Sequence, residues 1–204
     1  MSSKRPYVSP LRERSAARTR ELILGQATAL FAERGYGRVA VADIAAAAGV
    51  APKTVFASVG SKGDILNRIV DRGVAESGYR QATEEILGRR TPEAVIAALA
   101  RGTRAGNESQ HAVHEAIRKA LPVHEDGEAL WDRATAAYRD VLRAVAGHLH
   151  SLDPSPSCPV EETADLLWYW FGPLGWHMLV MESGWTWDRA EQVLNRTAML
   201  TLFG

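Results

Sequence analysis

The sequence predicts an all-α fold of about nine helices. Apolar residues recur every three or four positions over most of its 204 residues, and glycine or proline interrupts the pattern at helix-length intervals. No alternating apolar and polar run bounded by hairpin-turn residues is present. The 46% hydrophobic content suffices for a buried core, while polar residues interrupt every apolar stretch before it reaches membrane-spanning length.

The N-terminal part predicts an arm followed by an amphipathic helix. Residues 1–14 contain two prolines and four Lys or Arg, which is typical of a flexible basic arm. A helical apolar pattern begins near Ser15 and ends at Gly35. We expect residues 15–60 to form one compact domain and residues 61–204 a second helical domain.

Two short helices after Gly35 have the pattern of a helix-turn-helix. The first begins near Asp43 and ends at Gly49, which we expect in the left-handed conformation. The second has Pro52 in its first turn. Ala45, four residues before the turn glycine, is small enough for two helices to approach closely. Such a unit presents its second helix to the major groove of DNA.

The remaining helices follow from start and stop signals. Ser61 and Asp64 predict a capping box at the start of a long helix that weakens past Gly78. Pro173 predicts a kink or break within a later helix. The later helices are predicted at about 92–104, 108–120, 125–150, 160–182 and 187–203.

Charge is divided unevenly along a chain whose net charge is zero. Residues 1–62 contain ten Lys or Arg and four acidic residues, a net +6, so the remainder has a net −6. This division favours binding of a polyanion by the N-terminal part. Chance clustering of solvated basic residues is the alternative interpretation.

The residues exclude several other classes of function. Cys158 is the single cysteine, so an internal disulfide or a Cys-based metal site is excluded. No secretory signal is visible, so we expect a cytoplasmic protein without a membrane partner. No nucleophile–base set, P-loop or HExxH motif is present, so we predict no enzyme, no cofactor and no metal. His111 and His114 share a helix face, but no second half of a metal site accompanies them.

A segment of the chain resembles a known family. The segments TRELILGQATALFAERGY at 19–36, VADIAAAAGV at 41–50 and TVFASVGSKGDIL at 54–66 resemble the DNA-binding domain of the TetR family of bacterial transcriptional regulators. The resemblance implies a homodimeric repressor that binds a double-stranded DNA operator. It also implies a C-terminal domain for dimerisation and for an unidentified small-molecule effector.

The resemblance also suggests roles for single residues. Thr54 matches a recognition-helix residue that meets phosphate or base, and Lys62 matches a lysine that contacts phosphate. Phe56 replaces the family's usual tyrosine, and Ala51 replaces a serine, so a phosphate-bonding hydroxyl and a side-chain cap are absent. The predicted DNA-binding residues are Lys53, Thr54, Phe56, Ala57, Ser58 and Lys62, with Arg14 and Arg18 near the arm.

Aromatic residues are concentrated near the C-terminus. Five of the six tryptophans lie between Trp168 and Trp187, and the run has apolar residues on more than one helix face. It could form the core of a dimer or line a ligand pocket. The candidate pocket residues are His111, His114, Trp131, Tyr138, Trp168 and Phe171.

Two hypotheses of function remain at this point. The first is a DNA-binding regulator, most simply a repressor that a small molecule releases from its operator. The alternative is an all-helical small-molecule carrier or enzyme whose basic head is incidental. The sequence identifies neither the operator nor the effector, and it does not distinguish repression from activation.

Overall fold

The computed structural model describes residues 10–204, and every regular element in that range is helical. The predicted all-α class is therefore confirmed. The described residues form two compact units. The first unit contains the residues up to Arg72 together with Glu115–Leu130, and the second unit contains Gly73–His114 and Trp131–Gly204.

The first unit is built on three packed helices. Helix α1 contacts both α2 and α3, which also contact each other. Ile23, Phe31, Ile44 and Val55 are fully buried among them because their apolar side chains recur on the inward faces. The elements that begin in this unit are α1 (Pro10–Arg34), a 3₁₀ turn (Tyr36–Arg38), α2 (Val41–Ala47), α3 (Pro52–Val59) and α4 (Lys62–Ala75).

The predicted flexible arm is wrong for residues 10–14. Helix α1 begins at Pro10, so Arg12 and Arg14 lie on its first turns. Proline fits a first helical position, because the N–H it lacks would have no partner inside the helix. Residues 1–9, the rest of the predicted arm, lie outside the described residues.

The first unit also differs from the predicted domain of residues 15–60. It extends through most of α4 to Arg72, whose guanidinium pairs with the Glu21 carboxylate at 3.1 Å. The Arg68 side chain donates to the Val59 carbonyl at 3.1 Å. These bonds join the middle and the last turn of α4 to α3 and α1, a link that helical periodicity alone does not indicate.

The second unit is organised around α6. This helix contacts α5, α9 and α11, and the shared core includes Ile96, Leu99, Leu142, Phe171 and Trp176. Its elements are α5 (Tyr79–Leu87), α6 (Pro92–Ser109), the start of α7 (His111–Ala120), most of α8 (Gly127–His150), α9 (Val160–Phe171), α10 (Pro173–His177), a π-helical turn (Met178–Glu182) and α11 (Trp187–Phe203).

Two of the predicted helices are each divided in the structure. The helix predicted from Ser61 toward Leu87 ends at Ala75, and α5 follows Gly78, which has a left-handed φ of +65°. The break predicted at Pro173 is confirmed, since Gly172 is extended and separates α9 from α10. The proline ring and its missing N–H prevent a continuous helix there.

Among residues 10–204, no single helix is both long and apolar enough to cross a membrane. Helices α2 and α3 together reach that length and apolar content, but a bend of 99° separates them.

Candidate nucleic-acid interface and ligand cavity

Helices α2 and α3 form the predicted helix-turn-helix. The 99° bend between them lies within the range of this motif. Gly49 in the connecting turn has a φ of +66°, which confirms the left-handed conformation that glycine adopts without strain. Ala45, four residues before this glycine, is buried at 1% exposure. The turn therefore fixes the direction in which α3 projects.

Helix α3 divides its side chains between the core and solvent. Val55 and Val59 are buried, which turns the opposite face of the helix outward. The predicted DNA-binding residues of α3 lie on this outward side. Lys53, Phe56 and Ala57 are exposed, and Thr54 and Ser58 are half-buried.

Two departures from the family pattern have structural consequences. The Phe56 ring is 55% exposed, so it projects outward as apolar surface without a hydroxyl. Ala51 is the N-cap residue of α3 and makes no side-chain capping bond, as its methyl group predicts.

The start of α4 places a cation at a helix N-terminus. The Ser61 backbone N–H donates to Asp64 Oδ2 at 2.8 Å, and the Asp64 N–H donates to Ser61 Oγ at 3.2 Å. This confirms the predicted capping box, and the hydrogen bonds from Ser61 lower the pKa of the Asp64 carboxyl. Lys62 is the first residue of the helix, where N–H groups and the helix dipole favour an anion.

An aromatic ring holds the Lys62 side chain in position. Its Nζ atom lies 4.1 Å from the centroid of the Tyr36 ring, a cation–π distance. The Tyr36 ring in turn lies 5.1 Å from the ring of Phe31 and 5.1 Å from that of His124. Partial burial lowers the pKa of Lys62. This support makes the ammonium less mobile than a fully solvated lysine.

The basic residues of α1 differ in their surroundings. Arg14 and Arg18 are exposed along the helix. Arg20 instead donates from Nε to the Ser58 carbonyl at 3.3 Å, which ties α1 to the last turn of α3. The first two therefore present their charge to solvent, whereas Arg20 helps to fix the position of α3.

The sequence analysis missed a second link within the first unit. Lys119 of α7 donates to the carbonyl oxygens of Ala32 and Glu33 at the end of α1. A cation at the carbonyl end of a helix stabilises the unpaired backbone acceptors and the helix dipole. The sequence does show a lysine in the last turn of a predicted helix. The carbonyl groups that this lysine contacts belong to another helix, so they depend on tertiary packing.

The second unit contains a cavity of about 270 Å³, which we name the tyrosine cavity. Two of the predicted pocket residues, His114 and Tyr138, line it. The Tyr138 ring stacks on that of Tyr79, with centroids 5.3 Å apart. Six residues that characterise its lining are Tyr79, Leu99, Thr103, Asn107, His114 and Tyr138.

Both tyrosines of this cavity remain protonated at neutral pH. Burial raises the pKa of Tyr79 to about 12, and burial together with the neighbouring Tyr79 raises the pKa of Tyr138. The Tyr138 hydroxyl donates to the Phe171 carbonyl, which also accepts from Trp176 Nε1 at 3.1 Å. The cavity wall is therefore neutral and hydrogen-bonded at these rings.

A second cavity, of about 420 Å³, lies along α9, α10 and α11. We name it the tryptophan cavity, because Trp168 and Trp170 line it. Tyr169, Leu174 and Met178 also line it and are exposed, with 73% of Tyr169 accessible to solvent. The predicted pocket residue Trp168 thus belongs to a different cavity from Tyr138, although the two rings meet edge to face at 5.9 Å.

Three other predicted pocket residues lie outside the lining of both cavities. Phe171 is fully buried, while His111 and Trp131 are half-buried. Within residues 10–204, no group of three or more His, Cys, Asp or Glu side chains is arranged to hold a metal ion. The structure instead adds Tyr79 and Asn107 to the cavity, both of which the sequence analysis missed.

Comparisons with known proteins agree with this architecture. Residues 23–69 match the family model described as bacterial regulatory proteins of the tetR family. This match covers the helix-turn-helix and the start of α4. No curated protein is similar enough in sequence to give a match.

Several solved structures share the fold. A proposed transcriptional regulator from Saccharomonospora viridis, in complex with choline, is 20% identical with a TM-score of 0.73, covering 91% of this chain and 98% of that one. The TetR-family regulator PfmR from Thermus thermophilus is 24% identical with a TM-score of 0.58, covering 97% and 98%. The complex of SmeT with triclosan is 18% identical with a TM-score of 0.67, covering 90% of each chain.

Proposed function

We propose that this chain, a transcriptional regulator of the TetR family, is a homodimeric repressor that a small molecule releases from its operator. The observation that supports the DNA-binding part of this proposal is the 99° bend between α2 and α3, together with the position of Lys62 at the start of α4. This geometry exposes one side of α3 beside a fixed positive charge.

On an operator, α3 enters the major groove. Lys53 and Thr54 reach phosphates and base edges, and the exposed Phe56 ring contacts an apolar surface such as a thymine methyl group. Lys62 and the N–H groups at the start of α4 bind one phosphate. Ala57 and Ser58 are short and permit close approach of the α3 backbone, while Arg14 and Arg18 add attraction along the duplex.

A second copy of the chain covers the apolar surface around the tryptophan cavity. Exposed large apolar side chains of one contiguous patch are typical of interfaces rather than of solvated surface. Pairing two copies there gives two recognition helices, which read half-sites spaced by about 34–36 Å in successive major grooves. The exposed apolar residues that line this cavity are Tyr169, Leu174 and Met178.

The tyrosine cavity is the proposed effector site. Two proteins of the same fold have been solved in complex with choline and with triclosan, which supports a ligand site in this chain as well. A ligand shifts the dimer away from DNA only if it binds the DNA-incompetent arrangement more tightly. Release of the dimer from DNA therefore requires that the ligand's affinity differ between the DNA-competent and DNA-incompetent arrangements. A ligand that binds both arrangements equally tightly does not change operator affinity.

A gel-shift titration tests this proposal. The probe is DNA flanking the protein's own coding region, and the control is a scrambled duplex of the same length and composition. We expect preferential binding to the flanking DNA and a steep fall in affinity as salt rises from about 50 to 200 mM. Equal binding to both duplexes, or no binding at low salt, would contradict the proposal.

A further inference from the structure

One acceptor in the tyrosine cavity lacks a hydrogen-bond donor. Asn107 lies on α6, lines this cavity and is only 3% exposed. Its Nδ2 atom donates to the Thr103 carbonyl at 2.8 Å and to the Tyr138 hydroxyl at 3.2 Å. Its Oδ1 atom is buried and has no hydrogen-bond partner among the described residues. Buried polar atoms are nearly always paired, so this oxygen points to a missing donor.

Neighbouring groups fix which amide atom is the oxygen. The Thr103 carbonyl can only accept, so it requires the amide nitrogen opposite it. The Tyr138 hydroxyl gives its single proton to the Phe171 carbonyl, and it must therefore accept from Asn107. Rotating the amide by 180° would place two oxygens 2.8 Å apart. Both Nδ2 protons are thus used, and Oδ1 is the amide atom left without a partner among the described residues.

The rest of the lining restricts the ligand's charge. Among the described residues that line this cavity, none is Lys, Arg, Asp or Glu. An ionised ligand would lose its hydration there without a lysine, arginine or carboxylate beside it, which is costly. A neutral molecule is therefore favoured over a cation or a carboxylate.

Glycines on α6 give the cavity its room. Gly102 and Gly106 line it, and a Cβ atom added at Gly106 would meet nothing within 4 Å. A dry cavity of about 150 Å³ holds benzene, so the volume of about 270 Å³ fits roughly ten to twelve non-hydrogen atoms.

We infer that the tyrosine cavity binds a compact neutral molecule, apolar except for one hydroxyl or N–H group that donates to Asn107 Oδ1. This inference rests on the proposed function, because it assigns chemistry to the proposed effector site. An apolar ligand would leave the oxygen without a donor, whereas a hydroxyl supplies one.

Three probes of similar size test the donor. 2-Naphthol carries a hydroxyl, 2-methoxynaphthalene carries an ether oxygen that cannot donate, and naphthalene carries neither. We expect calorimetry with the full chain to give a Kd for 2-naphthol at least tenfold lower than for the other two. Equal dissociation constants for the three probes, or no binding of any, would overturn the inference.

Variants assign the preference to one atom. Asn107→Leu keeps side-chain volume but removes the acceptor, so the advantage of 2-naphthol should disappear. Asn195→Leu is the matched control, since it makes the same replacement on α11 at a residue outside the lining of both cavities, and it should retain the preference. A preference that survives Asn107→Leu would show that another group accepts the proton and would overturn the inference.

A second pair of variants tests the location. Gly106→Leu should fill the cavity and weaken all three probes at least tenfold. Gly147→Leu places the same side chain on an exposed part of α8, where an added Cβ also meets nothing within 4 Å, and should leave binding unchanged. Undiminished binding by a folded Gly106→Leu variant would contradict the assigned site.

A parallel gel shift separates this inference from the proposed function. If 2-naphthol binds with the expected preference but leaves operator affinity unchanged, the cavity chemistry is supported and the effector role is contradicted. If the three probes bind equally and each releases DNA, the donor requirement is overturned while the repressor mechanism stands.

Discussion

The two units of this protein suit their proposed functions in opposite ways. The first unit presents exposed side chains on a frame fixed by Gly49 and by the α3 core residues Val55 and Val59. The second unit relies on space left by glycines of α6 and on the buried acceptor of Asn107. An outward-facing site needs only a rigid scaffold and the right residue types. A cavity also depends on how completely the side chains of several helices fill the space between them.

The largest expected effect concerns the apolar surface shared by the proposed dimer. Leu174→Asp adds a charge beside the exposed Tyr169 and Met178, so it should convert the dimer to a monomer. Loss of paired half-site binding should reduce operator affinity about a hundredfold or more. Light scattering and a gel shift measure these effects. Val123→Asp alters an exposed apolar residue of the first unit and should remain dimeric. A dimeric Leu174→Asp variant would argue against this interface.

The next largest effect is expected at Gly49, in the turn between α2 and α3. Gly49→Val places a β-branched residue at a φ of +66°, which should cost about 2–3 kcal/mol of unfolding free energy. Gly25→Val, in the middle of α1 with open space around it, is the control and should change stability by less than about 0.5 kcal/mol. Urea unfolding followed by circular dichroism compares the two. Equal stabilities would exclude a strained turn as the organising feature.

A smaller effect is expected from the phosphate contact. Lys62→Ala should weaken operator and scrambled DNA alike, by about tenfold at low salt, and should lower the salt slope by about 0.9. Arg143→Ala removes an equal charge from the second unit, where Arg143 pairs with Asp140, and should change the slope little. A changed preference at one base pair would instead assign Lys62 to base recognition.

The smallest effect restores a missing cap. Ala51→Ser gives α3 an N-cap hydroxyl in extended backbone, where Ala51 makes no capping bond, and should add about 1 kcal/mol of stability. The thermal midpoint of unfolding measures it. Ala57→Ser, which adds a hydroxyl to the exposed interior of the same helix, should give no gain. A gain from both substitutions would indicate that capping is not the cause.

The sequence predicted the first unit in most of its detail and the second only in outline. The left-handed Gly49, the Ser61–Asp64 cap and the break at Pro173 were predicted correctly. Each of these features depends on the types of a few neighbouring residues. The resemblance to the TetR family added residue roles that remain predictions. The fold class and the helix-turn-helix were therefore accessible without coordinates.

The cavity residues were less accessible for a physical reason. Tyr138 and Asn107 are 31 positions apart and meet only when α6 packs beside α8. Aromatic content suggested Trp168 and Phe171, but Phe171 acts through its backbone carbonyl rather than by lining the cavity. Composition indicates which residues are buried, whereas a cavity is determined by the imperfect fit among several helices.

The short side chains on the outer side of α3 have an evolutionary consequence. Ala57 is exposed and Ser58 is only half-buried, so under the proposed function single replacements there alter the groups offered to a base pair while the buried Val55 and Val59 stay in place. Duplicated genes could thus diverge in the promoters they recognise without first losing a folded protein. On this proposal, recognition of DNA and response to the effector can then change independently in descendant lineages.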